Sequence, residues 1–410
     1  MGDDRAPEHV VRRFRRVFWQ PPRPHGEAIE GRTVTFLELF YDLVYVVVIG
    51  RASHALAHGV TWRGVATFAV VFTLIWIAWL NGTVYHDLHA RGDGRTRVFV
   101  FVQMLLLALL AVFAGNAGAT SGAAFAVVYA LLMAVLTGLW YAVRRLDAPE
   151  FGAITGPYLA GMVASVVVMG VSAALPPDPR LVVWAVVGIA WVVGGVLLDR
   201  TVAVGRSGIA ASVSLVERFG LFVIIVLGEV VVGVVSGLAE APEDAEPIAT
   251  GFVGLMIGFG IWWTYFDFVG RRMPRNEPGA RAMWLFGHLP VTMGITASGA
   301  AMVSLIVHAD VARAPAATSW LLAGSVAVAL VALVGVMSSL EDRRRFPTVY
   351  GPLLIALLTG AAVIVAIGWW DPAPLALVGS IVLTLVVVWF VAITRWLRLD
   401  DPGAASPPKG

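Results

Sequence analysis

The chain has 410 residues, of which 59% are hydrophobic and 14% charged, and its mean hydropathy is +0.82. Soluble domains average about 45–50% apolar and about 25% charged residues, so this composition excludes a water-soluble fold. The net charge of +2 is too small to indicate nucleic-acid binding. The absence of cysteine excludes disulfides, thiolate nucleophiles, iron–sulfur clusters and cysteine-ligated zinc.

Apolar runs of about 20 residues recur along the chain, which is the length of a helix that crosses a hydrocarbon core. The runs lack the two-residue alternation of barrel strands, so we expect each to be a helix. The predicted fold is an all-α, polytopic integral membrane protein with about twelve transmembrane helices. The expected spans lie near residues 36–57, 62–84, 98–114, 124–142, 154–174, 181–198, 212–238, 248–269, 283–307, 317–338, 349–369 and 374–395.

Basic residues concentrate in alternate connections between the expected spans. One side holds about 24 of the 29 lysines and arginines, whereas the other holds four arginines and the acidic loop 240–246. The positive-inside rule therefore predicts that both termini are cytoplasmic. Pro21, Pro22 and Pro24 interrupt the region where a signal peptide would need its apolar run, which indicates an uncleaved basic tail.

Two motifs recur at nearly the same offset. Residues 37–40 (Leu-Glu-Leu-Phe) match residues 216–219 (Val-Glu-Arg-Phe) at an offset of 179, and Tyr85-His86-Asp87 matches Tyr265-Phe266-Asp267 at an offset of 180. Six predicted helices separate the copies, so two parallel six-helix repeats are expected, with the functional site where they meet. The alternative is an old duplication without functional symmetry. The predicted organisation is a cytoplasmic basic tail (1–33), a first repeat (34–200), a second repeat (201–398) and a disordered cytoplasmic tail (399–410).

Charged residues inside the spans are the candidate functional residues, because each costs about 2.5–3.5 kcal/mol at a helix centre. Glu38 and Asp42 are four residues apart on one helical face, and Tyr45 continues that face. Two such carboxylates would suit a proton relay or a cation site. The alternative is that they are structural anchors paired with an arginine from an inner loop.

The predicted seventh span holds Glu217, Arg218 and Glu229. We expect Arg218 to pair with a carboxylate of another helix, with Glu38 or Asp42 as the leading candidates. Glu229 is flanked by apolar residues deep in the span, where exposure to lipid would be prohibitive. It is the strongest single site candidate.

Two further candidates lie near the ends of spans. Asp267, two residues after Tyr265, belongs either to an ion pathway or to the membrane interface. His288 precedes Pro290, whose missing amide frees a carbonyl that could bind an ion, although a structural role is the alternative.

No cofactor or resident metal is expected. His54 and His58 have metal-binding spacing but lack a third ligand, and no Walker loop, dinucleotide fingerprint, zinc-protease motif or nucleophile elbow occurs. The tryptophans are mostly assigned to interfacial belts, namely Trp76, Trp79, Trp262, Trp263, Trp369 and Trp370.

Three segments together resemble the bacterial low temperature requirement A family. They are Phe36 to Val47, Glu217 to Glu229 and His288-Leu-Pro, within a resemblance that runs from about residue 30 to 398. The resemblance implies a bacterial inner-membrane protein, and the cold-growth phenotype behind the family name supplies no substrate. A weaker similarity links Phe40-Tyr41-Asp42 to the Phe-Ser-Asp motif of six-plus-six potassium channels, but Phe219-Gly220-Leu221 lacks the second aspartate.

The leading hypothesis is a secondary transporter or ion pathway that handles a proton or cation between the two repeats. Its surroundings would be the lipid bilayer and its substrate an unknown small solute or ion, while the oligomeric state stays open. The alternative is a structural or signalling membrane protein for cold or envelope adaptation. A membrane enzyme that acts on lipid is disfavoured, because no nucleophile–base arrangement is present.

Overall fold

The computed structural model describes residues 13–14, 17–27, 32–202 and 211–399. Within 32–202 and 211–399 it contains thirteen α-helices and one short 3-10 helix, so the predicted all-α class is confirmed. Residues 400–410 of the predicted C-terminal tail lie outside the described residues, as does most of the basic stretch 12–16.

We number the α-helices in chain order. They are α1 (Phe36–Ala57), α2 (Trp62–His89), α3 (Gly94–Ala114), α4 (Gly122–Arg144), α5 (Gly152–Ser172), α6 (Pro177–Val202), α7 (Val213–Glu240), α8 (Ala245–Phe268), α9 (Ala280–Val307), α10 (Ala316–Ser338), α11 (Asp342–Arg345), α12 (Pro347–Trp369) and α13 (Pro374–Trp396).

Eleven helices of the described chain, α2 to α10 together with α12 and α13, are long and apolar enough to cross a membrane. The chain is therefore a polytopic membrane protein. A helix forms at each of the twelve predicted spans, but α1 is not among the eleven candidates. Three charged residues, Glu38, Asp42 and Arg51, lie within its 22 residues. The count of about twelve spans is thus one higher than the number that qualifies.

Polar side chains fix the starts of several helices. Asp93 precedes α3 and accepts a hydrogen bond from the amide of Thr96 at 3.1 Å. Ser212 precedes α7 and accepts one from the amide of Leu215 at 2.9 Å. Since the first four amides of a helix have no partner inside the helix, these caps stabilise the boundaries.

The chain divides into two compact units. The first lies within Met1–Val48 and Leu74–Trp191, and the second within Ile49–Thr73 and Val192–Gly410. Residues 49–73, which the predicted first repeat contains, thus group with the second unit. The proposed repeat remains a prediction.

Six long helices of the second unit pack side by side in the order α7, α9, α10, α12, α13 and α8, and α8 returns to α7. The most buried of these spans is α9. A Cβ atom on Gly233 of α7 would lie 2.0 Å from the carbonyl oxygen of Gly299 in α9, and one on Gly299 would lie 2.5 Å from the carbonyl oxygen of Glu229. The two backbones therefore touch, as small residues allow in membrane helices.

In the first unit, α3 packs on α4 and α4 on α5, and residues 17–27 bind the end of α2. The buried guanidinium of Arg23 donates to the carbonyl oxygens of Asp87 at 2.7 Å and Ala90 at 3.0 Å. The imidazole of His25 contacts the Asp147 carboxylate at 2.7 Å. This part of the predicted tail belongs to the folded unit.

We expect Gly233→Ala to lower the stability of the protein by about 1–3 kcal/mol, because the added methyl group meets backbone atoms that cannot move separately. Thermal unfolding in detergent, followed by circular dichroism, measures the loss. Gly228→Ala in the same helix is the matched control, since no atom lies within 4 Å of its added carbon. Equal melting temperatures for the two variants would contradict the proposed close contact.

Candidate functional site

Glu38 lies in a capping box at the start of α1. Its carboxylate accepts from the amide of Thr35 at 2.9 Å, while the Thr35 hydroxyl oxygen accepts from the amide of Glu38 at 3.3 Å. The guanidinium of Arg32 binds both Glu38 and, at 2.8 Å, the carboxylate of Asp87. These contacts are those expected of a structural anchor, with an arginine that precedes the helix rather than one from an inner loop.

Asp42 and Tyr45 lie one and two turns further along α1 and are fully buried. The Asp42 carboxylate accepts from the indole nitrogen of Trp79 at 2.9 Å. The Tyr41 hydroxyl donates to the side-chain oxygen of Gln103 at 2.7 Å and lies 3.2 Å from the Tyr45 hydroxyl. The first unit therefore holds a buried set of polar groups on α1, α2 and α3.

Glu217 and Arg218 are adjacent in α7 but lie in different environments. Glu217 is exposed, whereas Arg218 is fully buried. Neighbouring helical residues point about 100° apart, which explains the difference. Glu38 and Asp42 belong to the first unit and Arg218 to the second, so the expected ion pair stays a prediction.

Glu229 is the deepest carboxylate of α7, about 24 Å along the axis from Val213 and about 16 Å from Glu240 at 1.5 Å per residue. It is 5% exposed and forms a side-chain hydrogen bond with Ser53. Its Oε1 lies 3.0 Å from where a Cβ atom on Gly50 would be. Within the described part of the chain, no basic side chain pairs with this carboxylate.

His288 joins three helices of the second unit. Its Nε2 lies 3.0 Å from the hydroxyl of Tyr265 in α8, and its Nδ1 lies 2.6 Å from the Trp284 carbonyl oxygen. Because a carbonyl only accepts, we assign the proton to Nδ1, so that Nε2 accepts from Tyr265. The ring of Phe219 in α7 packs edge-on against this imidazole, with the centroids 4.9 Å apart. The fully buried His288 thus has a protein partner at each ring nitrogen and an aromatic ring packed against it.

Asp267 is only partly buried. Its carboxylate accepts from the indole nitrogen of Trp389 at 3.4 Å, and Trp263 adds a second side-chain hydrogen bond. The guanidinium of Arg272 donates to its backbone carbonyl oxygen at 2.7 Å. The structure therefore joins Tyr265 with His288 but gives Asp267 separate partners.

Sequence reasoning missed two partners of the candidate carboxylates. Trp79 was expected in an interfacial belt, and that expectation is wrong, because Trp76 and Trp79 are fully buried. Ser53 carried no signal of its own, although its place three residues after Gly50 puts it on the same helical face. Across the described residues, no group of three or more histidines and carboxylates could hold a metal ion.

We expect Trp79→Phe to lower stability by about 1.5–3 kcal/mol, because it removes a hydrogen bond to a buried carboxylate while the ring remains. The matched control is Trp369→Phe, whose indole is 76% exposed. Thermal unfolding of both variants in the same detergent measures the difference. If the two variants melt together, the Trp79–Asp42 bond does not contribute to stability.

Comparison with known proteins places the chain in a family. The family model for the bacterial low temperature requirement A protein (LtrA) matches residues 33–392. The chain is 28% identical over 285 residues to a protein of Rhizobium meliloti (strain 1021) named "Uncharacterized protein RA0937", which covers 66% of this chain and 68% of that protein. No solved structure matches. The chain therefore belongs to the bacterial low temperature requirement A family.

Proposed function

We propose that this protein is a secondary transporter or ion pathway rather than an enzyme, and that Glu229 carries the transported proton or cation. The observation behind the proposal is a carboxylate near the middle of a membrane helix, 5% exposed, with a serine hydroxyl as its polar partner. Fixed structural charges are normally paired. The described partner of the Glu229 carboxylate is instead a neutral hydroxyl, that of Ser53.

The energetic argument follows from burial. An ionised carboxylate without a counter-ion is very costly in an apolar interior, so a proton or a bound cation must neutralise it. The proton or the bound cation can leave when water reaches the carboxylate. A residue of this kind is therefore suited to binding and releasing an ion, whereas it adds little to stability when it is merely buried.

The sequence repeat supports a site between the two six-helix halves. Gly50 and Glu229 are separated by 179 residues, which is the offset of the first of the two recurring motifs. These equivalent positions lie against each other, with the glutamate oxygen 3.0 Å from the Cβ position of the glycine. In a parallel repeat, equivalent residues that touch lie beside the axis that relates the halves. Since Gly50 has no side chain, the two equivalent positions together supply one carboxylate, that of Glu229. The contact therefore favours a single ion site.

A structural or signalling role is the second candidate, and one observation favours it. Arg32 bridges the carboxylates of Glu38 and Asp87, and Glu38 is also part of the capping box of α1. Charges held in this way fix helix ends instead of moving ions. On that basis, Glu38 serves the fold, while Asp42, Tyr45, Arg218, Asp267 and His288 remain candidates for the pathway.

We further propose that the protein resides in the bacterial cytoplasmic membrane with both termini in the cytoplasm. The distribution of arginines supports this orientation. A reporter inserted after Glu243 is then expected outside the cytoplasm, and one fused after Arg398 inside. An alkaline phosphatase and fluorescent protein pair measures both positions, and reporters on the same side would contradict the topology.

The transport proposal is tested in proteoliposomes that contain the purified protein. Fluxes of protons, sodium and potassium are measured in turn with ion-sensitive dyes at a clamped membrane potential. We expect flux of at least one ion in the wild type and its loss in Glu229→Gln, because the amide cannot bind a proton or balance a cation.

Glu246→Gln is the matched control, since this glutamate is exposed at the start of α8. It should conduct like the wild type. All variants are compared for monodisperse elution and helix content before reconstitution. No flux of any tested ion in the folded wild type, or unchanged flux in Glu229→Gln, would refute the proposal in favour of the structural role.

A further inference from the structure

We propose that the ion is the proton, and that it reaches Glu229 along the contact between α1 and α7, entering through His54, His58 and Glu240. This inference rests on the proposed function and names its substrate. We call residues 50–58, which are the last part of α1 and the residue after it, together with residues 229–240 of α7, the α1–α7 seam. Both segments belong to the second unit.

Polar residues occur at helical spacing along the whole seam. On α1, Ser53 and His54 follow Gly50 by three and four residues, and His58, directly after the helix, follows by eight, which places all three near one helical face. On α7, Ser236 and Glu240 follow Glu229 by seven and eleven residues, also on one face. Each helix therefore presents polar side chains from the buried carboxylate to its own C-terminal end.

The described contacts across the seam lie at its two ends. At the deep end, Ser53 forms a hydrogen bond with Glu229. At the other end, Nε2 of His58 lies 3.9 Å from Oε1 of Glu240, and these side chains are 49% and 47% exposed. The rings of His54 and His58 lie 4.3 Å apart. The exposed imidazole–carboxylate pair thus lies at one end of the seam and the buried carboxylate at the other.

The chemistry of the seam fits a proton better than a metal cation. Hard cations such as calcium and magnesium are held by about six or more oxygen ligands, and the described partner of Glu229 is a single hydroxyl. A hydroxyl can donate one hydrogen bond while it accepts another, which is what a proton relay needs. An imidazole can bind a proton on a ring nitrogen and release it again. Both kinds of group occur along the seam.

The transfer balances in charge. A proton from water binds Nε2 of His58 and makes the ring cationic. The proton then moves along the hydroxyl groups of the seam to Glu229, which becomes a neutral carboxylic acid, while His58 returns to the neutral ring. The charged and titratable groups that face His54 are His58, Arg51 and Glu240. The positive charge of Arg51 repels a proton in this region, whereas the negative charge of Glu240 attracts it. Glu240 therefore favours protonation at the exposed end of the seam.

Proteoliposomes loaded with a pH-sensitive dye test the inference under a clamped membrane potential. The seam variant is His54→Gln together with His58→Gln. We expect it to slow dye acidification by about tenfold or more, and to weaken the dependence of the rate on pH, because the amide side chains cannot bind and release a proton. Glu229→Gln should abolish proton flux, whereas Glu229→Asp should retain part of it.

His308→Gln is the matched control, because His308 is also exposed beyond the end of a helix and bonds the carbonyl oxygen four residues earlier. It should behave like the wild type. The single variant His58→Gln replaces the double variant if the latter elutes as aggregate.

Two results would overturn the inference while leaving Glu229 as an ion-handling residue. One is unchanged proton entry, in rate and pH dependence, when the seam histidines are replaced. The other is flux of sodium or potassium that needs Glu229 without any proton flux. Absence of flux for every ion would overturn both this inference and the proposed function.

Discussion

The contact between the backbones of α7 and α9 determines where the central carboxylate lies. A Cβ atom on Gly233 or on Gly299 would overlap backbone atoms of the other helix, and for Gly299 the nearest of these is the carbonyl oxygen of Glu229 itself. Lipid tails provide no hydrophobic force that would press two apolar helices together, so such packing must come from close van der Waals contact. Because the backbone is fixed on this side, the Glu229 side chain extends toward Gly50 and Ser53 of α1.

Three carboxylates of the spans, those of Glu38, Asp87 and Glu229, lie in two different electrostatic environments. Glu38 and Asp87 lie at helix ends, where an arginine and a backbone amide compensate their charge. Glu229 lies more than two turns from either end of its helix and has a neutral partner. Ion pairs with Arg32 offset the desolvation cost of Glu38 and Asp87. The desolvation cost of an ionised Glu229 is not offset in this way, and binding an ion would lower it.

Helix positions could be predicted from the sequence because hydropathy acts over 20 residues and averages out local detail. All twelve predicted spans contain a helix, and the errors are at their ends. Candidate residues were found equally directly, since a carboxylate in an apolar run is conspicuous. The hydrogen-bond partners of these carboxylates could not be predicted from the sequence. Ser53 and Trp79 are common residues in membrane helices, and whether they bind Asp42, Glu229 or nothing depends on helix rotation, which a single sequence specifies only weakly.

The bound N-terminal segment has a consequence for how the protein is made. Arg23 donates to the carbonyl oxygen of Asp87, 64 residues later in the chain, and His25 contacts Asp147, 122 residues later. During synthesis these side chains leave the ribosome long before their partners exist. The segment can reach its final place in the first unit only after α2 and Asp147, which follows α4, have been synthesised.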